Sequence, residues 1–196
     1  MKRILSAVAG GIMIGIGGSV FIACDVKYVG AFFFALGLFT ICEFGLGLYT
    51  GKIGYLFKIK GNYYIEVIQT LIGNIIGTFI AGILVGYAKP QYAEKAYDMC
   101  SSRLLQNPLQ TLILSFFCGI LMFIAVNLFK KNAGIGRYIG IFTAVPVFIL
   151  SGFEHSVADM FYFFCGRVFS VQALVFIAIC VIGNALGSFA IAYFDK

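Results

Sequence analysis

The sequence predicts an all-α integral membrane protein that crosses the bilayer six times, as two copies of a three-span unit. Three observations predict it. Of 196 residues, 61% are hydrophobic and 11% charged, less than half of the roughly 25% charge of a soluble domain. The apolar residues fall in runs of about 18 or more, the length of a membrane-crossing helix. And GNIIGT (73–78) and GNALGS (183–188) repeat one pattern, Gly-Asn-x-x-Gly-small, in the third and sixth runs.

The first run follows MKR and covers 4–24. It is long enough to span and leads into no soluble mature domain, so it reads as the first crossing, not as a cleavable signal. The others are 28–58, 63–88, 108–129, 134–164 and 169–194. The second and fifth are too long for plain helices. They break around GLGLYTGK (45–52) and SGFEHSVAD (151–159). Residues 89–107 form a polar, partly helical connection, so one transmembrane domain (1–196) divides into repeats 1–88 and 108–196.

Charge sets the orientation. Nine basic residues (Lys2, Arg3, Lys52, Lys58, Lys60, Lys130, Lys131, Arg137 and Lys196) flank the side that holds both termini. Five (Lys27, Lys89, Lys95, Arg103 and Arg167) flank the other. The positive-inside rule then puts the termini in the cytoplasm of a cell-membrane protein, with 89–107 external. The net charge of +6 is dispersed between spans, which argues against nucleic acid as a partner. The six cysteines show no metal-ligand spacing, so they read as small hydrophobes, with neither metal nor cofactor implied. With no tryptophan, any aromatic belt must come from Tyr and Phe.

Three spans per unit is an odd number, so the two copies insert with opposite orientation. Inverted repeats place a substrate path at their interface, lined by broken helices. Gly73, Gly77, Gly183 and Gly187 are first of all packing glycines. Asn74 and Asn184 need partners at membrane depth, and the exposed backbone of the neighbouring breaks supplies them; they are expected to support those loops. The breaks carry Thr50 and the chain's single histidine, His155, which should approach each other from opposite sides. An ionisable residue inside a membrane marks a functional site by default. Glu154 is expected to anchor loop N–H groups. Asp159, four residues after His155, either pairs with the imidazole on a helix or faces the outer vestibule.

GFEHSVADMF (152–161) resembles the fifth-helix motif of the formate/nitrite transporter family, which includes hydrosulfide channels. LYTGKIGYL (48–56) resembles its second-helix loop, CGILMFIAVNL (118–128) its fourth-helix segment, and GNIIG and GNALG its third- and sixth-helix motifs, all in order. The resemblance implies an aquaporin-like six-helix protomer in a homopentamer, each protomer with its own pore for small monovalent anions or their conjugate acids. It implies Thr50 and His155 as the central pair, with Leu48 and Tyr49 at the inner constriction. Phe34 and Leu38 then fall at narrow points, Phe148 at the outer constriction, and Arg103 in the external vestibule wall. Four positions depart from the family: Gly47 for an acid, Tyr49 for Phe, Gly119 for Asn and Asp159 for Asn. Glu43 is expected to stand in for the missing acid. The chain is also short for the family.

The expected activity is a passive or proton-coupled pore for a small weak acid. Basic vestibules concentrate the anion, apolar rings strip its water, and protonation removes most of the desolvation cost. Two sources can supply that proton, His155 or bulk water. A channel for a neutral solute shares the architecture. An intramembrane enzyme ranks low, because there is no nucleophile motif, second histidine or metal-ligand cluster. A scaffold has no need of unwound backbone at mid-membrane.

Overall fold

Four helices are long and apolar enough to cross a membrane whole: α1 (Lys2–Ala23), α4 (Tyr63–Ala88), α6 (Pro108–Lys131) and α9 (Val171–Phe194). The structure, a computed structural model, describes residues 1–195; Lys196, counted above among the basic residues, lies outside them. Where the sequence predicts the second crossing lie α2 (Lys27–Glu43) and the short α3 (Tyr49–Lys52), and where it predicts the fifth lie α7 (Gly136–Leu150) and α8 (Ser156–Cys165). At 17 residues, α2 reaches only about 25 Å at 1.5 Å per residue, short of the roughly 30 Å hydrocarbon core. Each broken crossing therefore needs its second piece. Residues 89–107 hold α5 (Pro90–Arg103), which packs against α8, α4 and α1.

Both breaks are made the same way. Helix α2 ends with Phe44 N–H donating to Thr40 O (3.0 Å) and Leu46 N–H to Ile41 O (2.9 Å). Helix α7 ends with Ser151 N–H donating to Val147 O (3.0 Å) and Phe153 N–H to Phe148 O (2.9 Å). A glycine in the left-handed region closes each: Gly45 at φ 63° and Gly152 at φ 70°. This is the glycine C-terminal motif that satisfies the last carbonyls of a helix, here used inside the membrane, where unpaired carbonyls are most costly.

The two halves pack alike. Helix α4 lies against α1, and α9 against α6. A side chain at Gly77 would strike the Val8 carbonyl, and one at Gly187 the Phe116 carbonyl. The repeated small residues thus let backbones approach, as expected of them. Ion pairs mark the two faces. Glu66 meets Lys52 and Arg3, and Asp195 meets Lys58 and Lys131, on the face that carries both termini. Lys95 meets Asp25, and Arg103 meets Glu154, on the α5 face.

Candidate functional site

The centre of the protomer is built from the two loops that follow α2 and α7. Asn74 on α4 accepts from Tyr49 N–H (2.8 Å) and donates to Gly47 O (2.8 Å) and Ala7 O (2.8 Å). Asn184 on α9 accepts from Ser156 N–H (2.9 Å) and donates to Glu154 O (2.9 Å) and Ser115 O (2.8 Å). Each asparagine thus pairs both ends of a short extended stretch whose backbone no helix can satisfy. These bonds fix the register of the repeat. Gly47 corresponds to Glu154, Leu48 to His155 and Tyr49 to Ser156.

Thr50 and His155 meet: Thr50 Oγ1 lies 2.8 Å from His155 Nε2, with both side chains buried. The repeat does not relate them to each other, since Leu48 holds the place equivalent to His155. His155 is also the N-cap of α8, where its Nδ1 accepts from Ala158 N–H (3.0 Å). A backbone N–H can only donate, so Nδ1 carries no hydrogen and the hydrogen of the neutral ring is on Nε2. Nε2–H then donates to Thr50 Oγ1, which leaves the threonine hydroxyl hydrogen free to point elsewhere. Phe148 stacks on the imidazole (centroids 5.5 Å apart, planes at 25°), and Phe34 meets Phe148 edge-on at 6.0 Å.

Two cavities approach this pair. On the α5 face a cavity of about 480 Å³ is lined by Arg103, Gln106, Phe148, Glu154, His155 and Asp159, among others. On the terminal face a smaller one, about 190 Å³, is lined by Ile41, Leu48, Gly51, Lys52, Val126 and Lys130, among others. Phe34, Leu38 and Ile41 share one face of α2 at helical spacing. That face runs from Phe148, in the wall of the first cavity, to Ile41, in the wall of the second. Phe34 and Leu38 are each 1% exposed, so this face of α2 is packed closed between the two cavities.

Several expected details differ. Tyr49 turns its hydroxyl to Val181 O on α9 (3.1 Å); with its N–H held by Asn74, the side chain leaves the inner cavity to Leu48. The Glu154 carboxylate does not bind loop N–H groups. It accepts from Arg103 Nε (2.9 Å) and Gln106 Nε2 (2.8 Å), tying the loop to the end of α5 and the turn after it. Asp159 is on a helix, yet it faces Arg103 Nε (3.4 Å) and the α5-side cavity, because Ala158 N–H already occupies the imidazole Nδ1. Arg103 is therefore an ion-paired cation between two carboxylates. Glu43 is exposed at the end of α2 and is not among the residues lining the terminal-face cavity, so it does not replace the acid missing at Gly47. Gly119 fits its helix contact: a side chain there would strike the Asn184 carbonyl. Sequence reasoning missed Gln106 and Lys130. For Lys130 the available signal is its place in the last turn of a span.

A family model for the formate/nitrite transporters matches residues 1–194. The chain belongs to the formate/nitrite transporter family. Among its relatives, the uncharacterized transporter YrhG of Bacillus subtilis (strain 168) is 30% identical over 176 residues, covering 81% of this chain and 66% of that protein. The formate channel BtFdhC of Bacillus thuringiensis is 27% identical over 123 residues, covering 62% of this chain and 47% of that protein. The chain thus spans between about half and two thirds of the curated relatives it matches. Two solved structures share the fold. One, described as an FNT family ion channel, superposes with a TM-score of 0.84 at 19% identity, covering 100% of this chain and 90% of that one. The other, a pentameric formate channel with formate bound, gives 0.78 at 22% identity, covering 98% and 94%. The all-helical membrane-channel fold expected from the sequence is the fold these structures share with the chain.

Proposed function

We propose that this protein is a membrane pore for a small monovalent anion and its conjugate acid, of the formate, nitrite or hydrosulfide class. The observation that carries the reading is the Thr50–His155 contact at 2.8 Å, held between two cavities by two helix breaks. Family membership, with a formate channel and nitrite transporters among its relatives, supports the substrate class. A likeness to a pentameric channel supports a homopentamer. The protein works as a transporter and not as an enzyme, in the cell membrane with both termini cytoplasmic. The excess of basic residues on the terminal face supports that orientation.

The chemistry follows from the hydrogen-bond directions. A bare anion entering the closed stretch at Phe34, Leu38, Leu48 and Phe148 loses its hydration at a cost of several kcal/mol. Thr50 offers it one hydroxyl hydrogen, and His155 Nε2–H sets the direction of that hydroxyl. With Nδ1 engaged by Ala158, the ring has no second hydrogen to hand over. Losing Nε2–H would leave an imidazolate. The proton that neutralises the substrate therefore comes from water in the vestibules, and the central pair passes an acid already formed. Asn74 and Asn184 hold the two loops, while Glu154 and Asp159 hold Arg103 against the α5-side cavity.

Flux into proteoliposomes tests this. Formate, nitrite, hydrosulfide, acetate and lactate are compared at about pH 5 and about pH 7. Uptake of one acid that rises at the lower pH is the expected result. Flux of glycerol with no flux of any acid would replace this reading with a neutral-solute channel.

A further inference from the structure

We infer that a cleft between α4, α8 and α9 binds one anionic phospholipid, with an acyl chain in the cleft and the headgroup phosphate on Arg167. The site goes beyond the transport reading and does not depend on which solute the pore carries.

The cleft has a volume of about 430 Å³. Ile75 of α4, Phe163 of α8, and Leu174 and Ile177 of α9 line it, and Val168 lines it from the turn between α8 and α9. Ser170 is its one polar lining residue. That hydroxyl is already used, since it accepts from Ala173 N–H (3.1 Å) as the N-cap of α9. The cleft therefore offers a surface to hydrocarbon and no polar side chain to a polar ligand. Leu174 is 72% exposed, so the cleft is open to the lipid side.

Arg167 sits in the turn that lines this cleft. Helix α8 ends as α2 and α7 do: Arg167 N–H donates to Phe164 O (3.2 Å) and Val168 N–H to Phe163 O (2.9 Å). Arg167 takes the left-handed place of the motif, at φ 55°. The other four positive-φ residues among those described are glycines, which avoid the steric cost that a Cβ brings there. The fold gives Arg167 nothing in return. Its side chain is exposed, and among the described residues no carboxylate pairs with it and no ring stacks on it.

A cation beside an open apolar cleft fits a molecule that joins an anionic group to hydrocarbon. Basic side chains at a membrane surface attract anionic lipids, and a guanidinium binds phosphate through paired hydrogen bonds. A second copy of this chain would need both an apolar ridge for the cleft and a carboxylate for Arg167. A phospholipid of net negative charge brings both parts in one molecule.

The chain has no tryptophan, so Leu174→Trp places a single fluorophore in the cleft wall. The full chain carrying it is reconstituted in vesicles of equal phosphatidylglycerol and phosphatidylcholine, with the acyl chains of one or the other brominated to quench. Brominated phosphatidylglycerol is expected to quench more, by a preference of roughly fivefold, the scale of one basic side chain at a membrane surface. Adding Arg167→Gly should abolish the preference and leave the unfolding midpoint equal or higher, because glycine suits the left-handed backbone. Equal quenching by both lipids with Arg167 in place would overturn the inference and mean ordinary boundary lipid. Quenching by neither would overturn it too, and mean that a second copy covers the cleft. A preference that survived Arg167→Gly would remove Arg167 as the phosphate contact.

Discussion

Asn74 and Asn184 make the same three hydrogen bonds in opposite halves of the protein, each closing one loop where a crossing is interrupted. Both side chains are fully buried. Their targets are backbone groups that water does not reach, so each asparagine stands in for a missing turn of helix.

Replacing either asparagine by leucine is therefore expected to cost far more than one ordinary hydrogen bond. Each buried backbone group left without a partner costs about 1–3 kcal/mol. With the two loop groups released, and the third target a carbonyl that keeps its bond within α1 or α6, Asn74→Leu and Asn184→Leu should sharply reduce the yield of folded protein and its midpoint of thermal unfolding in detergent. Stability equal to the wild type in either variant would mean that the loops find other partners.

Arg103 makes a different prediction, because the groups it serves are charges. Its Nε faces Glu154 Oε2 at 2.9 Å and Asp159 Oδ1 at 3.4 Å, and those two side chains are 4% and 2% exposed. Removing one partner from a buried ionic cluster costs about 3–5 kcal/mol, because the remaining charge is stranded. Arg103→Gln is expected to be destabilised on that scale. The double variant Arg103→Gln/Glu154→Gln should recover part of the loss, since one stranded charge is gone. A double-mutant cycle in thermal or denaturant unfolding reads the coupling, and strict additivity would refute it.

At the terminal face, Asp195 accepts from Lys58 Nζ (2.7 Å), Lys131 Nζ (2.6 Å) and Asn127 Nδ2 (2.7 Å). Its carboxyl is held below the usual range, first by the bond from Lys131 and then by that from Lys58. A carboxylate depressed on folding stabilises the fold above its unfolded value of about 3.9 and loses that contribution as pH falls through the folded value. Asp195→Asn should therefore unfold at a lower temperature than the wild type at neutral pH, with the gap closing below about pH 4 and narrowing in high salt. A gap that grew on acidification would refute the assignment.

How much of this could be read from the sequence depended on the kind of signal. The whole spans announce themselves by run length, and the two breaks by glycines beside polar residues in otherwise apolar runs. The GNxxG repeat correctly marked Asn74 and Asn184 as loop partners, because an asparagine at membrane depth has few places to go. Register was not legible. Nothing in the spacing says that His155 corresponds to Leu48 rather than Thr50, since the loops are set by hydrogen bonds to α4 and α9. Nor could the sequence pair Arg103 with Glu154, 51 residues away, and so it left Arg103 looking like a free vestibule cation. Tyr49 failed for a similar reason: one residue of a short extended stretch faces the cavity and the next faces a neighbouring helix.

His155 has two jobs that a single substitution can separate. As the N-cap of α8 it supplies Nδ1 to Ala158 N–H, and as the central pore residue it supplies Nε2–H to Thr50. Asparagine is a strong N-cap whose side-chain oxygen reaches the same backbone N–H, but it has no atom where Nε2 stands and no ring to stack on Phe148. His155→Asn should thus fold much like the wild type, while losing most of the acid flux. Loss of one such pore hydrogen bond, at about 1–3 kcal/mol, corresponds to roughly 5- to 150-fold. His155→Ala removes the cap as well and should lose stability by about 0.5–2 kcal/mol in addition. Thr50→Val keeps shape and deletes only the hydroxyl, so its flux should fall with His155→Asn, and its unfolding midpoint should fall as well, because the buried Nε2–H loses its acceptor. If His155→Asn conducts every acid at the wild-type rate, the histidine serves only to start a helix, and the pore chemistry assigned to it is wrong.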